Sequence, residues 1–406
     1  MGWVFFPLDE ELALTKESLT PRHEEHLVHL ATWMPFARAA QMLEKLMGVQ
    51  VSEATIRRHA EGAGTRAEEV QDASSQHGAQ AENESKPILA QMALSADGAF
   101  VPLLGGLWAE ARTLAIGSVM GKGECRKTTD LSSFSRMTDA ATFTSLCTGE
   151  MQRRQLFQAK QVAGIMDGAE WLQGLLDFHR PDAIRILDFP HAAQRVSAIL
   201  EAAQQTGQSL PTDALERSLH LLKHRGPRPL LRWLEHLTRK MAPTNSAHED
   251  LAYLQKREAL MQYPQYQAGG WPIGSGMVES ANKLVVQARL KGSGMHWSPT
   301  HVNPMLALRS AVCSDRWDDT WKHVTAHALQ QRQQPRSARV AQRQRQATSI
   351  FLLAWMRFLL PARQVQPSDA APSQPVGHRE PAKMLAGRPT AHHPWKRGLA
   401  NLSAKN

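Results

Sequence analysis

The stretch Leu94-Ser-Ala-Asp-Gly-Ala-Phe-Val101 is an apolar run that carries a single acidic residue, Asp97, followed by a glycine. Its length and composition predict a strand. Asp167 ends a second apolar run, and Glu279 opens a helix within Gly274-Ser-Gly-Met-Val-Glu-Ser-Ala-Asn-Lys283. Carboxylates on two strands and on one later helix can converge on a pair of hard divalent cations, which prefer oxygen ligands.

The elements around this stretch alternate between strands and helices. The pattern predicts paired strands over 88–104 and 107–120, joined at a glycine pair, and a third strand over 132–137. The elements expected after them are helix 140–156, strand 161–166, helix 170–179, strand 183–187 and helix 191–203. Three strands, a helix and then strand–helix–strand–helix is the order of an RNase H-like α/β fold with a mixed sheet. The last two strands are joined by a helix, so we expect them to be parallel with a right-handed crossover.

Changes in composition divide the chain into parts. We expect an N-terminal helical domain (1–85), an RNase H-like domain in two parts (86–203 and 271–330), and an all-helical insertion before the Glu279 helix (204–270). Beyond it, Arg, Gln, Pro, Ser and Ala dominate, which predicts a basic, largely disordered C-terminal tail (331–406).

The N-terminal part contains a candidate DNA-binding motif. Apolar residues recur at helical spacing over 35–47, and Ser52 can cap a second helix that stops at Gly62. Two helices joined by a short turn, with Arg57 and Arg58 projecting from the second, are typical of a helix-turn-helix. An ordinary helical hairpin has the same pattern, so both interpretations stay open.

Charge and composition indicate a partner and a location. The chain has 47 Lys and Arg against 38 Asp and Glu, a net charge of +9, which favours a polyanion such as DNA. We find no apolar run of the about 18 residues that a membrane span needs. The three cysteines form no C-x-x-C pair, so neither a zinc site nor a disulfide framework is indicated, and their odd, sparse count is typical of a reducing cytosol. We therefore expect a cytoplasmic, nucleoid-associated protein with no membrane partner.

The middle carboxylate has a second candidate, Asp188, in Ile184-Arg-Ile-Leu-Asp-Phe-Pro-His191. In the predicted sheet the strand of Asp167 is the neighbour of the Asp97 strand, about 4.8 Å away, whereas the Asp188 strand lies one place further. This favours Asp167 as the ligand, with Asp188 and His191 as accessory residues that orient the ligands. A His191 that merely starts a helix is the alternative.

Basic and polar residues surround Glu279. On a helix, Glu279, Asn282, Lys283 and Val286 share a face, which places a carboxylate beside donors suited to phosphate. The candidate DNA contacts in this region are Lys283, Arg289, Lys291, His296 and Trp297. The alternative is a solvated polar helix face, in which a Glu–Lys pair contributes only ~0.3 kcal/mol.

These motifs together resemble the bacterial insertion-sequence DDE transposases of the ISKra group, relatives of the Mutator-like DDE superfamily. The matching segments are Ala96-Asp-Gly-Ala-Phe-Val-Pro102, Trp108-Ala-Glu110, Met166-Asp-Gly-Ala-Glu-Trp171, Ile186-Leu-Asp-Phe-Pro-His-Ala192, the block 274–283, Arg289-Leu-Lys-Gly-Ser-Gly-Met-His-Trp297, Asn303-Pro-Met-Leu-Ala-Leu-Arg309, Asp315-Arg-Trp317 and Gly387-Arg-Pro-Thr-Ala-His-His-Pro-Trp-Lys396. The block around Glu279 is the most specific of them.

The resemblance implies a transposase that cleaves DNA strands and transfers them. Asp97, Asp167 and Glu279 would hold two Mg²⁺ ions, for which Mn²⁺ can substitute. One ion would activate the attacking water or 3′-hydroxyl and the other would stabilise the leaving oxygen. It also implies that Asp188 and His191 form the family's separate Cys/Asp-x-x-His motif. The expected partners are the terminal inverted repeats of the element and target DNA, on which we expect a homo-oligomer.

One departure keeps other functions open. Relatives often carry a Cys-paired N-terminal segment, which has no counterpart at Met1-Gly-Trp3. We interpret this as a shortened reading frame, so a truncated, catalytically silent DNA-binding derivative is the alternative. A structure-specific nuclease of the same fold is a third hypothesis.

Overall fold

A computed structural model of the chain contains a five-stranded sheet around the strand that carries Asp97. The structure describes residues 19–77, 89–121 and 127–331. The strands are β1 (Gln91–Pro102), β2 (Trp108–Met120), β3 (Lys127–Arg136), β4 (Gln161–Met166) and β5 (Ile184–Leu187). Their spatial order is β3-β2-β1-β4-β5, with β1 antiparallel to β2, β2 antiparallel to β3, and β4 parallel to both β1 and β5. The described part is therefore mixed α/β with a mixed sheet, which confirms the predicted class at that level.

The turn between β1 and β2 contains the predicted glycine pair. Gly105 and Gly106 have φ angles of 79° and 76°, in the left-handed region that glycine adopts without a steric penalty. The third strand begins at Lys127, earlier than the predicted 132.

Helices cover both faces of the sheet because successive strand residues point to opposite sides. Met92, Leu94 and Ala96 of β1 pack on one side against α4 (Ala140–Arg153) and α5 (Glu170–His179). Ala93 points to the other side, where its core cluster includes residues of α6 (Phe189–Gln205) and of the segment that follows.

The segment 206–270 is described throughout, and all its regular structure is helical. Its α-helices are α7 (Ala214–Arg225), α8 (Pro227–Thr238), α9 (Ala247–Lys256) and α10 (Tyr263–Gly269). Buried leucines of these helices join the core on the Ala93 side of the sheet. The segment is thus packed onto the sheet.

The N-terminal described residues form three helices: α1 (Pro21–Trp33), α2 (Phe36–Met47) and α3 (Glu53–His77). The predicted cap is present, since the Thr55 amide donates to Ser52 Oγ at 3.1 Å. The predicted stop at Gly62 is wrong, because α3 continues to His77.

Tertiary packing explains why α3 continues through Gly62. Its buried face includes Ala60, Ala63 and Ala67, and it packs against α13 (Pro299–Val312). Gly64 permits the close approach, since a Cβ there would lie 2.6 Å from the Pro304 carbonyl oxygen. Burial of this face outweighs the cost of a glycine within a helix, about 1 kcal/mol.

The helix that carries Glu279 lies in the last part of the described chain. It consists of α11 (Gly276–Ala281), a π-helical segment (Asn282–Gln287) and the short α12 (Ala288–Leu290), and a further helical segment after α13 covers 317–331. None of the described helices is both long enough and apolar enough to cross a membrane. Except for residue 331, the predicted tail (331–406), with its matching segment at 387–396, lies outside the described residues.

Candidate active site

Asp97 lies on β1, and Asp167 and Asp188 directly follow the neighbouring strands β4 and β5. The register between β1 and β4 pairs Leu94 with Gly164, and the same offset relates Asp97 to Asp167. Between β4 and β5, Met166 pairs with Leu187, so the next residues, Asp167 and Asp188, are also level. The prediction that the first and fourth strands are neighbours is confirmed. Adjacent strands are about 4.8 Å apart, so carboxylates from β1 and β4 can approach each other closely.

Asp97 is partly buried and accepts two hydrogen bonds. The Gly98 amide donates to its Oδ1 at 2.7 Å, and the Asn282 side-chain amide donates to its Oδ2 at 2.9 Å. Burial raises the pKa of Asp97, and the nearby Asp167 charge raises it further, although the Gly98 hydrogen bond opposes this. The site thus holds a carboxylate whose charge is disfavoured, a condition that a bound cation would relieve.

Asp167 occupies a turn directly after β4. Its Oδ1 accepts a hydrogen bond from the Ala169 amide at 2.8 Å. Gly168 has a φ of 85°, which favours glycine. The carbonyl oxygens of Asp167 and Gly168 accept hydrogen bonds from Tyr253 and Arg257, so this turn contacts the helical segment through its backbone.

Asp188 is fully buried, at 0% exposure, and both its oxygens are engaged. Oδ2 accepts the His191 amide at 3.2 Å and lies 2.6 Å from His191 Nδ1, while Oδ1 accepts the Ser275 amide at 2.5 Å. Burial acts to raise the pKa of Asp188, but these hydrogen bonds outweigh it and the pKa is lowered. The hydrogen bond to Asp188 raises the pKa of His191. Asp188 therefore joins the end of β5 and the start of α6 to the segment that enters the Glu279 helix.

Glu279 lies in the first turn of α11 and is exposed. The face predicted for its helix is divided, because Glu279 and Lys283 are exposed whereas Asn282 and Val286 are buried. Asn282 is 3% exposed and begins the π-helical segment, a conformation that is frequent at functional sites. Through Asn282, the Glu279 helix makes a direct contact with Asp97.

The oxygen donors at this site suit a hard divalent cation. Within the described ranges, no three His, Cys, Asp or Glu side chains already have a metal-binding arrangement. The site does contain Asp97, whose pKa the nearby Asp167 charge raises, and Asn282, which contacts Asp97 and whose Oδ1 is a buried oxygen with no hydrogen-bond partner among the described residues. Carboxylate and amide oxygens are the ligands that Mg²⁺ and Mn²⁺ prefer.

The predicted DNA contacts divide into exposed and buried residues. The exposed ones are Arg57, Arg58, Lys283, Lys291 and His296. Arg289 is 2% exposed, and its Nε donates to the Ala31 carbonyl at 2.9 Å. Trp297 is 8% exposed, and its Nε1 donates to the Leu290 carbonyl at 3.0 Å. The prediction that Arg289 and Trp297 contact DNA is therefore corrected, because both are packed inside the fold.

Burial changes the chemistry of Arg289. Its guanidinium lies over the rings of Phe36 and Trp297, at 4.8 Å and 5.0 Å from their centroids. Burial lowers its pKa to about 10. The residue binds the N-terminal helices to the segment after Glu279.

Two residues that contact the site, Tyr253 and Arg257, were not assigned a role from the sequence, and the contact of Asn282 with Asp97 was not predicted. Asn282 follows Glu279 by about one helical turn, so helical spacing indicates a shared neighbourhood. No local sequence pattern indicates the contacts of Tyr253 and Arg257, because their partners are backbone carbonyls far away in the sequence. Comparison of the chain with family models and with curated protein sequences gives no match.

Proposed function

We propose that the protein is a DDE transposase with an RNase H-like catalytic fold, which cleaves DNA at the ends of an insertion sequence and transfers the strands. One observation carries the proposal: Asp97 lies on β1, Asp167 directly follows the adjacent parallel strand β4, and Asn282 of the Glu279 helix donates to Asp97. The strand order β3-β2-β1-β4-β5, followed by a helical segment and the Glu279 helix, is the order expected for this fold.

Asp97, Asp167 and Glu279 would hold two Mg²⁺ or Mn²⁺ ions. When bound, such ions activate the attacking water or 3′-hydroxyl and stabilise the leaving oxygen. The protein's own contribution is to position the ligands. Asn282 orients the Asp97 carboxylate, and Asp188 with His191 holds the segment that leads into the Glu279 helix.

Exposed basic residues supply phosphate contacts. Lys283 is one turn after Glu279, and Lys291 and His296 follow in the next loop. Such contacts fix the position of the DNA without reading its sequence. Arg57 and Arg58 on α3 would contact the terminal inverted repeats, and a homo-oligomer would hold both ends together with target DNA in the cytoplasm.

A nicking assay tests the proposal. Purified protein with Mg²⁺ or Mn²⁺ should nick DNA that carries the terminal repeats and join the ends to target DNA. Asp97→Asn should bind this DNA with unchanged affinity but lose cleavage. The matched control is Asp139→Asn, since Asp139 caps α4 at the surface and asparagine is an equally good cap.

Other results of the nicking assay would contradict the proposal or indicate a different function. Equal cleavage by Asp97→Asn and the unchanged protein would refute the assignment of the site. Binding of the repeats by the unchanged chain, without nicking in either metal, would indicate a catalytically silent DNA-binding protein. Cleavage of branched DNA without strand transfer would indicate a nuclease.

A further inference from the structure

The loop that carries Asp167 is bound by side chains at the end of α9. The Tyr253 hydroxyl donates to the Asp167 carbonyl oxygen. The Arg257 guanidinium donates to the Gly168 carbonyl oxygen from Nη2 at 2.7 Å and from Nε at 3.2 Å. Lys256 adds an ion pair to Glu170, with Nζ 3.2 Å from Oε1. These three residues thus contact three of the four positions after β4, namely Asp167, Gly168 and Glu170.

These side chains also contact each other. The Arg257 guanidinium lies 3.8 Å from the centroid of the Tyr253 ring, and the Arg195 guanidinium lies 4.8 Å from it. Arg195 is in turn paired with Asp250 of α9, at 2.7 Å between Nη1 and Oδ1. Cation–π contacts restrict the ring and the guanidinium together, so the two donors reach the loop in a fixed arrangement.

The backbone at Gly168 is matched to this arrangement. Its φ of 85° requires a left-handed conformation, and a Cβ there would lie 2.6 Å from Arg257 Nε and 2.7 Å from the Tyr253 hydroxyl. Only glycine allows both groups to come this close. The loop and α9 therefore fit each other at their closest point of approach.

The loop conformation determines where the Asp167 carboxylate lies. Its Oδ1 accepts the Ala169 amide at 2.8 Å, so the side chain is oriented by the backbone that Tyr253 and Arg257 hold. A displacement of this backbone would carry the carboxylate away from Asp97. Residues that orient a ligand without touching the metal have large effects on metal affinity.

We propose that Tyr253 and Arg257 are positioning residues, through which the helical segment 206–270 sets the geometry of the Asp167 carboxylate for metal binding. This rests on the proposed function, because that function makes Asp167 a metal ligand. The segment supplies no ligand of its own. Its role is to hold the backbone on which one ligand depends.

Mn²⁺ binding to the DNA-free protein tests the proposal. Tyr253→Phe and Arg257→Gln should each bind Mn²⁺ about 10-fold more weakly than the unchanged protein. Arg257→Lys should recover part of the affinity, because an ammonium group can make one of the two hydrogen bonds. The matched control is Tyr266→Phe, which also removes a hydroxyl whose partners are backbone carbonyls, those of Ala259 at 2.8 Å and Arg185 at 3.2 Å, and should bind Mn²⁺ normally.

Hydrogen exchange of the metal-free protein supplies a second readout. The Ala169 amide, which donates to Asp167 Oδ1, should exchange faster in Tyr253→Phe and in Arg257→Gln than in Tyr266→Phe. We expect this difference in exchange rate even if the chain never cleaves DNA. The exchange measurement therefore separates the positioning role from the proposed function.

Two results would overturn the proposal. Normal Mn²⁺ affinity in both Tyr253→Phe and Arg257→Gln, together with loss of binding in Asp167→Asn, would show that the loop needs no help from α9 and would leave the proposed function intact. Unchanged Mn²⁺ binding in Asp167→Asn would show that Asp167 is not a metal ligand. That result would refute both the positioning role and the proposed function.

Discussion

Replacement of Asp97 by asparagine should stabilise the folded protein at neutral pH. The pKa of Asp97 is raised by burial and by the charge of Asp167. Its ionised form therefore costs folding free energy at every pH at which Asp97 is charged. Asparagine has nearly the same shape and no charge, so the cost disappears while the packing is kept.

The size of the stabilisation expected for Asp97→Asn follows from opposing contributions. Burial is the largest cause of the raised pKa, and two unit charges about 5 Å apart, close to the spacing of adjacent strands, would add a repulsion of about 3 kcal/mol at an effective dielectric constant of about 20. Solvent screening at the partly exposed Asp97 reduces this, and the variant loses a hydrogen bond from Asn282 to a charged group, worth about 1.5 kcal/mol. A rotated Asn282 amide compensates for part of that loss, because its unpaired Oδ1 can accept a hydrogen bond from the new amide. We expect a net stabilisation of about 1 kcal/mol.

Urea unfolding at several pH values measures the difference in free energy of unfolding between Asp97→Asn and the unchanged protein. A raised folded-state pKa means that the unchanged protein gains stability relative to Asp97→Asn as the pH falls through that pKa. The difference should therefore close near the unfolded-state value of about 3.9. In Mg²⁺ at neutral pH the unchanged protein should be more stable than Asp97→Asn. An ion present at about 100 times its dissociation constant adds about 2.7 kcal/mol to the free energy of unfolding of the protein that binds it. A variant that is less stable at neutral pH, or a difference that does not change on acidification, would refute the reasoning.

Four further substitutions test the packing and capping of the helices around the site by urea or thermal unfolding. Arg309→Met should lower the free energy of unfolding by about 3 kcal/mol, because Arg309 is 1% exposed and donates to three backbone carbonyls; an unchanged urea midpoint would contradict this. Gly64→Ala should lower the melting temperature, since its Cβ would meet the Pro304 carbonyl at 2.6 Å, whereas Gly62→Ala, whose Cβ has no contact below 3.6 Å, should raise it. Asp139→Ala should destabilise the fold at neutral pH, because a threonine hydroxyl and backbone amides of α4 donate to Asp139 and lower its pKa to about 2. That stabilisation is present above about pH 4 and is lost as the pH falls towards the folded-state pKa, so the difference should shrink on acidification.

The strand arrangement could be predicted because it depends on local patterns. Apolar runs, the glycine pair at 105–106 and the intervening helices define the order of the strands, and short connections restrict which strands are neighbours. The same reasoning ranked Asp167 above Asp188 as the partner of Asp97. The structure agrees with the premise of that ranking, since β4 lies between β1 and β5, and it places Asp188 fully buried with both oxygens engaged.

The errors concern residues whose environment is set by distant parts of the chain. Gly62 was predicted to end a helix, yet packing of α3 on α13 carries the helix past it. Arg289 and Trp297 were predicted to contact DNA because they lie in the basic and polar segment that follows Glu279. Nothing local distinguishes such residues from a buried guanidinium that packs on aromatic rings, because the carbonyl that Arg289 binds belongs to Ala31.

The buried arginines give residues 19–77 a part in holding the Glu279 helix. The π-helical segment Asn282–Gln287 departs from regular helical hydrogen bonding. Within it, the carbonyl oxygens of Leu284 and of Val285, the latter at 3.4 Å, accept hydrogen bonds from Arg309. The same guanidinium donates to the Thr32 carbonyl at the end of α1 at 3.0 Å, and Arg289 binds the adjacent Ala31 carbonyl. Removal of α1 would take the Ala31 and Thr32 carbonyls from the two guanidinium groups and open their surroundings to water. Loss of activity after an N-terminal deletion would therefore reflect a displaced Glu279 helix as well as any lost DNA contact from Arg57 and Arg58. Only point substitutions of those two exposed arginines isolate the contribution to DNA binding that we propose for them.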